Sequence, residues 1–259
     1  MLNSENSEKS RGILAFATNT TDIDYVSMAQ QTLRLAGKML NLPWTLVTAD
    51  TPASYHNQRY CIDHGNFIPW NNLGRYQAYD LSPYAETLVI DADYLVLDDN
   101  LLKIFQIPFD YLLQRRSHAL TQDWPATMGS AGLPLIWATV FAFRKTPRAQ
   151  MFFDLIRRIQ ENYSYYQVLF NVEQRNFRND YAFSMADIIL NGYALSDISI
   201  PGSMLTIDQS ITALNLNSDT ITIRDEDRAY VIPRTNMHVM SKNYLQSENF
   251  QEFVHGIAP

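Results

Sequence analysis

The chain has 259 residues, of which 46% are hydrophobic and 18% are charged, a composition typical of a globular protein with a substantial core. Its formal net charge of -7 excludes a protein-wide basic field that would attract nucleic acid or an anionic membrane. Cys61 is the only cysteine, which excludes an internal disulfide and a cysteine-based zinc site and favours a reducing compartment.

The N-terminal segment and the apolar runs do not have the patterns of export or membrane insertion. Residues 1–10 are polar where a signal peptide needs an apolar stretch, so they predict a disordered leader before a single domain at residues 11–259. No apolar run approaches the roughly 18 residues that cross a bilayer. We therefore expect a cytoplasmic protein without a membrane span.

The first half of the chain predicts strands that alternate with helices. Its opening strand, helix and strand are typical of a parallel α/β sheet. The predicted elements in chain order are a strand at Gly12–Thr18, a helix at Ser27–Asn41, a strand at Trp44–Asp50, a short strand near Phe67–Ile68, a helix at Arg75–Leu81, and strands at Thr87–Ile90 and Tyr94–Leu97.

The second half predicts a further strand and two helices, followed by a region of β-strands. The predicted elements are a strand at Ala138–Phe143, a helix from Pro147 to about Glu161, a helix at Tyr181–Leu190, and a hairpin of Thr220–Ile223 with Tyr230–Ile232. The fold class expected is α/β, with a mixed, mainly parallel central sheet, flanking helices and a C-terminal β-hairpin region. Two short basic clusters, at Arg115–Arg116 and at Arg175 and Arg178, are expected to be solvent-exposed.

An acidic pair, Asp91 and Asp93, follows the predicted strand Thr87–Ile90 directly. The pair does not open an EF-hand, because the glycine and glutamate positions of that loop are Val96 and Leu102. Two interpretations remain: the carboxylates cap a turn, or they bind Mg²⁺ or Mn²⁺ together with phosphate oxygens. Ligands of open α/β sheets bind at the carboxyl ends of strands, which favours the second. No GxGxxG or GxxxxGK[ST] pattern occurs in the chain.

The segment "VIDADYLVL" resembles the DxD motif of the metal-dependent GT-A glycosyltransferases, most closely the retaining family of glycogenin and galactosyltransferases. Upstream, Arg75, Tyr79, Leu81 and Tyr84 follow the family's spacing of a basic residue, an aromatic, a leucine and a tyrosine. The resemblance spans roughly residues 12 to 242 and is strongest at Arg75–Asp93. It implies a GT-A fold.

Matching segments imply site residues. The segment "FATNTTDIDY" is similar to the loop that holds the nucleotide, "MHVMSK" to the strand with the third metal ligand and the lysine on the diphosphate, and "RNDYAF" to the segment that meets the sugar. The resemblance thus implies metal ligands Asp91, Asp93 and His238, donor-binding residues Thr18, Asn19, Tyr25, Arg75 and Lys242, and a catalytic role for Asp180. Asp180 is also a good candidate for a helix N-cap. The chain departs from the family at Trp137 and Tyr181, where relatives carry Asn and Gln.

The implied activity is transfer of a sugar from a nucleotide sugar, with UDP expected as the nucleotide, to a hydroxyl acceptor with retention. A carboxylate–imidazole site favours Mn²⁺ over Mg²⁺. An inverting enzyme would also need a carboxylate base, for which Asp123 and Asp180 are the candidates. A sugar-phosphate nucleotidyltransferase and a non-catalytic nucleotide-sugar-binding module remain alternatives. The acceptor stays open among glycans, proteins, small molecules and modified DNA bases.

Overall fold

The computed structural model describes residues 10–48, 58–61, 74–128, 132–173, 176–196 and 198–257. Residues 1–9 of the predicted leader and the predicted strand near Phe67–Ile68 lie outside these ranges. Ser10 is bonded to the folded part, since its backbone carbonyl accepts the N–H groups of Ala85 and Glu86 at 2.9 and 3.0 Å.

The strands form a six-stranded central sheet and smaller sheets around it. In chain order they are β1 (Arg11–Phe16), β2 (Trp44–Thr48), β3 (Gln58–Cys61), β4 (Glu86–Ile90), β5 (Tyr94–Leu95), β6 (Tyr111–Gln114), β7 (Ser117–His118), β8 (Thr127–Met128), β9 (Leu133–Pro134), β10 (Trp137–Arg144), β11 (Met204–Ile207), β12 (Ala213–Leu216), β13 (Thr220–Arg224), β14 (Ala229–Pro233) and β15 (Met237–Val239).

The central sheet has the order β3-β2-β1-β4-β10-β6. Strands β3, β2, β1 and β4 are parallel, whereas β10 is antiparallel to both β4 and β6. The predicted fold class, α/β with a mixed, mainly parallel sheet, is therefore confirmed. From β1 the chain proceeds to β2 on one side, whereas β4 pairs with β1 on the other. Such a reversal leaves a crevice at the carboxyl ends of β1 and β4, where open α/β sheets bind ligands.

A four-stranded sheet, β5-β15-β11-β7, joins distant parts of the chain. The sequence predicts that the strand after the acidic pair extends to Leu97, but β5 is only Tyr94–Leu95. Strand β5 pairs antiparallel with β15, so that His238 lies opposite Tyr94. The predicted C-terminal hairpin is confirmed as β13 and β14, and β12 adds a third strand that the sequence pattern did not reveal.

The helices cover both faces of the central sheet. They are α1 (Tyr25–Leu40), α2 (Ala78–Leu81), α3 (Pro147–Glu161), α4 (Tyr163–Leu169), α5 (Asn179–Leu190), α6 (Lys242–Leu245) and α7 (Glu248–Ile257), with 3₁₀ turns at Arg75–Gln77 and Asn100–Gln106. The Asp24 side chain caps α1 by accepting the Ser27 N–H at 2.9 Å. The helix ends at Asn41, which has the left-handed conformation common there. The predicted helix Arg75–Leu81 is a 3₁₀ turn followed by α2.

Alternating side chains of the central strands pack into two apolar cores, one on each face of the sheet. Ile13 of β1 and Leu88 of β4 belong to the core shared with α1, α7 and the two smaller sheets on that side. Leu14 and Val89, one position further along each strand, belong to the core with α3 and α5. Both faces are thus covered, as expected for parallel strands. Among the described residues, no helix combines the length and the apolar character needed to cross a membrane.

Candidate functional site

A cavity of about 470 Å³ lies at the carboxyl ends of β1 and β4, within the size range of small-molecule sites. It lies at the crevice that the strand order predicts. Its lining residues are Phe16, Ala17, Thr18, Tyr25, Arg75, Asp91, Ala92, Asp93, Trp137, Ala138, Thr139, Phe177, Arg178, Asn179, Asp180, His238, Met240 and Lys242. Most of the residues predicted to form the site therefore meet in one cavity.

Asp91 is held at the end of β4 by a buried arginine. Its backbone N–H donates to the Thr139 carbonyl at 2.9 Å, which continues the pairing of β4 with β10. The Arg75 guanidinium forms an ion pair with the Asp91 carboxylate and donates to the Ala138 carbonyl. The Arg75 side chain is only 3% exposed. Burial lowers the pKa of Arg75 to about 10, against the opposing effects of Asp180 and Asp93, so the side chain is still cationic at neutral pH.

Asp93 is buried between a histidine and a lysine from the C-terminal part of the chain. Its carboxylate oxygen Oδ2 contacts the Lys242 ammonium and lies 3.3 Å from Nε2 of His238. The pairing of β5 with β15 creates this arrangement, and the backbone N–H of Val239 donates to the Asp93 carbonyl at 2.9 Å. Burial alone would raise the pKa of Asp93, but the charges and hydrogen bonds of His238 and Lys242 outweigh it and lower the pKa below its ordinary value.

Asp180 lines the cavity from the first turn of α5. The N-cap position of that helix is Arg178, so the N-cap role considered for Asp180 is wrong. Instead, Oδ1 of Asp180 accepts the backbone N–H of Ala138 at 3.0 Å, and Oδ2 lies 3.2 Å from Arg178. Asp180 thereby joins α5 to β10, the strand whose Ala138 carbonyl accepts a hydrogen bond from Arg75.

The predicted donor-binding residues of the first loop have different positions. Thr18 and Tyr25 line the cavity, at the end of β1 and the start of α1. Burial raises the pKa of Tyr25, with an opposing effect of Lys242, so its hydroxyl remains a neutral donor at physiological pH. Asn19 is exposed outside the cavity lining, and its side-chain oxygen accepts the Val26 N–H at 2.9 Å. Its contact stabilises the start of α1.

Asp123, the other candidate base, is exposed and is not part of the cavity lining. It forms an isolated antiparallel bridge with His118 in the loop after β7. The neighbouring Trp124 contacts Trp137, and the two rings are 5.5 Å apart at 72°. Of the two carboxylates considered as a base, the structure thus brings only Asp180 to the residues predicted to bind the metal and the donor.

The donor types present suit a divalent cation, although they do not form a preformed site. Asp91, Asp93 and His238 line the same cavity, and Nδ1 of His238 is buried without a hydrogen-bond partner among the described residues. Two carboxylates and one imidazole are ligands that Mn²⁺ accepts. In the part of the chain that the structure describes, no group of three or more His, Cys, Asp or Glu side chains is close enough to hold a metal ion. Each carboxylate is engaged by a cationic side chain instead.

Several cavity residues were not identified as site residues from the sequence. Trp137 forms edge contacts with both Trp124 and His238, with ring centroids 6.0 Å apart for the second pair. Arg178 is exposed as predicted, yet it lines the cavity and pairs with Asp180. The proximity of Arg178 to Asp180 in sequence is the only local signal, and it does not distinguish a cavity rim from any other surface.

A second cavity of about 480 Å³ lies between β12 and α7. Among the described residues that line it, Glu252 and Tyr244 are the ones that ionise, and Tyr244 is buried with its hydroxyl accepting the Leu214 N–H at 3.0 Å. It lacks the convergent charges of the first cavity, which we therefore take as the candidate active site.

No family model and no curated protein matches this chain. Among solved structures, it is similar to the glycosyltransferase GlyE of Streptococcus pneumoniae TIGR4, with 17% identity, a TM-score of 0.39, and coverage of 66% of this chain and 46% of GlyE. The galactosyltransferase LgtC, solved with donor and acceptor sugar analogues, has 12% identity, a TM-score of 0.46, and coverage of 69% and 70%. A 4-diphosphocytidyl-2C-methyl-D-erythritol synthase from Anaerococcus prevotii DSM 20548 has 13% identity, a TM-score of 0.36, and coverage of 71% and 99%. The chain thus spans less than half the length of GlyE. These similarities concern the path of the backbone.

Proposed function

We propose that this chain is a metal-dependent glycosyltransferase that transfers a sugar from a nucleotide diphosphate sugar, with UDP as the expected nucleotide, to a hydroxyl acceptor. One observation carries the proposal: Asp91, Asp93, His238 and Lys242 converge in a single cavity at the carboxyl ends of parallel strands. They come from sequence positions up to 151 residues apart, so the fold, and not local sequence, gathers them.

The chemistry that this cavity supports is departure of a diphosphate. Transfer of the sugar leaves additional negative charge on the diphosphate, which fixed positive charges stabilise in a site with little water. Lys242 and the buried Arg75 supply such charges in the cavity lining. Arg75 acts through its field, because Asp91 and the Ala138 carbonyl already occupy its guanidinium.

The proposed metal is Mn²⁺, or Mg²⁺ in its place, with Asp91, Asp93 and His238 as the protein ligands. When bound, the cation supplies Lewis-acid stabilisation of the diphosphate and orients it. Thr18 and Tyr25 are proposed to bind the nucleoside, since both line the same cavity at the end of β1. Asn19 is proposed to act indirectly, through the start of α1 that its side chain stabilises.

Retention of configuration is the proposed stereochemical outcome. A retaining enzyme can work without a carboxylate base at the acceptor, whereas an inverting one needs such a base. One oxygen of Asp180 accepts the Ala138 N–H and the other contacts Arg178. These contacts suit a role for Asp180 in positioning the part of the cavity that is proposed to bind the sugar. Asp123 lies outside the cavity lining, so we assign it no catalytic step.

The test incubates the full chain and Mn²⁺ with a panel of nucleotide sugars. Turnover is measured as release of the nucleoside diphosphate. Release of a nucleoside diphosphate from at least one donor is expected, and NMR recorded before the released sugar mutarotates then reports the anomeric configuration that was formed. Formation of a nucleotide sugar from a nucleoside triphosphate and a sugar phosphate would show the nucleotidyltransferase instead. Tight binding of nucleotide sugars without turnover of any donor would show a binding module.

A further inference from the structure

The ionisable side chains of the candidate site neutralise one another in pairs. Among the described residues that line it, the carboxylates are Asp91, Asp93 and Asp180, and the permanent cations are Arg75, Arg178 and Lys242. Each carboxylate has its own cationic partner. Apart from His238, these side chains carry no net charge, although Asp91 and Asp93 would attract a divalent cation strongly if they were unpaired.

The three pairs differ in how readily they can separate. Arg75 is 3% exposed and is also bonded to a backbone carbonyl, so its pair with Asp91 is fixed. Arg178 and Asp180 lie at the rim, where Arg178 is 53% exposed. Lys242 is 23% exposed and begins the short helix α6, with a flexible four-carbon side chain that reaches Asp93. Lys242 is therefore the cation that can leave the proposed metal ligands.

We propose that Lys242 is an internal counter-ion that competes with the divalent cation for Asp93 and is transferred to the nucleoside diphosphate when the donor binds. This inference rests on the proposed function, because it assumes the same metal and donor site. It adds a coupling that the site residues alone do not define: metal and diphosphate each assist the binding of the other through one lysine.

The coupling follows from electrostatics and linkage. An ammonium group and a divalent cation repel each other when they share one carboxylate, so the metal binds weakly while Lys242 remains in place. A diphosphate offers the ammonium a charge-assisted partner and thereby frees Asp93. Because linkage is reciprocal, the metal must raise the affinity for the diphosphate by the same factor.

The experiment measures Mn²⁺ binding from the electron paramagnetic resonance signal of free Mn²⁺, with and without UDP, in the full-length protein. Lys242→Met removes the ammonium and retains the length of the four-carbon stem, and Lys242→Gln repeats the measurement if the methionine variant melts at a lower temperature. Arg178→Met is the matched control, since it removes one positive charge from the same lining without touching Asp93. Asp93→Asn reports whether Asp93 is a ligand.

Without UDP, the Lys242 variants are expected to bind Mn²⁺ at least about fivefold more tightly than the wild type, the lower end of ordinary coupling between ligands. Arg178→Met is expected to gain clearly less. An unchanged or weaker affinity in the Lys242 variants, together with loss of binding in Asp93→Asn, would overturn the counter-ion role while leaving the metal site intact. An equal gain in Arg178→Met would also overturn it in favour of a general field effect. Absence of Mn²⁺ binding in the wild type, even with UDP, would overturn both the inference and the proposed metal site.

Discussion

The contact between Arg75 and Asp91 shows why a carboxylate can follow a buried strand. A charge at that place costs free energy unless it is paired. Arg75 provides the pair from a 3₁₀ turn that lies in contact with α3, and the Ala138 carbonyl accepts a further hydrogen bond from it. The pairing explains how the acidic turn is tolerated before any ligand binds.

Replacement of Arg75 by Ala should therefore destabilise the fold. The change leaves Asp91, which is only 16% exposed, without its partner, and we expect the free energy of unfolding to fall by about 3 kcal/mol. Urea unfolding at neutral pH measures it. Arg157→Ala is the matched control, because its pair with Asp154 is exposed on both sides and should contribute less than about 0.5 kcal/mol. Equal effects of the two variants would contradict the assigned role.

The residues of the candidate site were predictable to different degrees. Asp91 and Asp93 stand out locally, because acidic residues directly after an apolar strand are unusual. His238 and Lys242 were found only through resemblance, since nothing near them in sequence indicates a partner 145 to 149 positions away. Their contacts with Asp93, and the rim position of Arg178, depend on tertiary structure that no local sequence pattern encodes.

At the scale of elements, the strand β4 is anchored at its first residue. Glu86 is 2% exposed and receives Nε of Arg11 at 2.7 Å and Nε of Arg144 at 2.8 Å, from the strands on either side. Burial alone would raise the pKa of Glu86, but the hydrogen bonds and charges of the two arginines outweigh it and lower the pKa. The three strands that carry the cavity are thus joined at the opposite end by one carboxylate.

This anchor predicts a pH dependence. Because the unfolded chain binds a proton more readily at Glu86 than the folded chain does, the contribution of Glu86 is complete above the unfolded pKa of about 4.3 and is lost as the pH falls through the lower, folded pKa. Glu86→Gln should lower the free energy of unfolding most at neutral pH, and the difference should shrink below about pH 4. Urea unfolding from pH 7 to pH 3 measures it. A difference that does not change with pH would contradict the assignment.

The start of β1 depends on a glycine for close packing. A Cβ at Gly12 would lie 2.4 Å from carbons of the Tyr84 ring, whose hydroxyl is bonded to Thr45 Oγ1 at 2.9 Å. Gly12→Ala should therefore destabilise the protein by about 1–3 kcal/mol, measured by thermal unfolding. Gly256→Ala is the control, since a Cβ there meets open space within α7 and should be neutral or stabilising by up to about 1 kcal/mol. A Gly12→Ala variant that unfolds at the same temperature as the wild type would contradict this packing.

At the scale of the molecule, hydrophobic patterns were sufficient for four of the six central strands, β1, β2, β4 and β10, and for the long helices α1, α3 and α5, because these elements have strong periodicities. The strands β3 and β6 and the helices α4, α6 and α7 were not predicted. The strand after the acidic pair was predicted too long, and its pairing with the strand implied at "MHVMSK" was not predicted. Its pairing with β15 is set by a register between residues more than 140 positions apart. Short strands in such sheets carry too few residues for a period to be recognised.

In the proposed function, Asp93 helps to bind a divalent cation that turnover requires. The most direct measurement is the rate of nucleoside diphosphate release from the best donor of the panel, with Mn²⁺ and after removal of divalent cations by EDTA, for the wild type and Asp93→Asn. We predict that the wild type loses at least about 100-fold in rate with EDTA and that Asp93→Asn is equally slow in both conditions while it remains folded by circular dichroism. A rate in Asp93→Asn that equals the wild-type rate with Mn²⁺ would contradict the site.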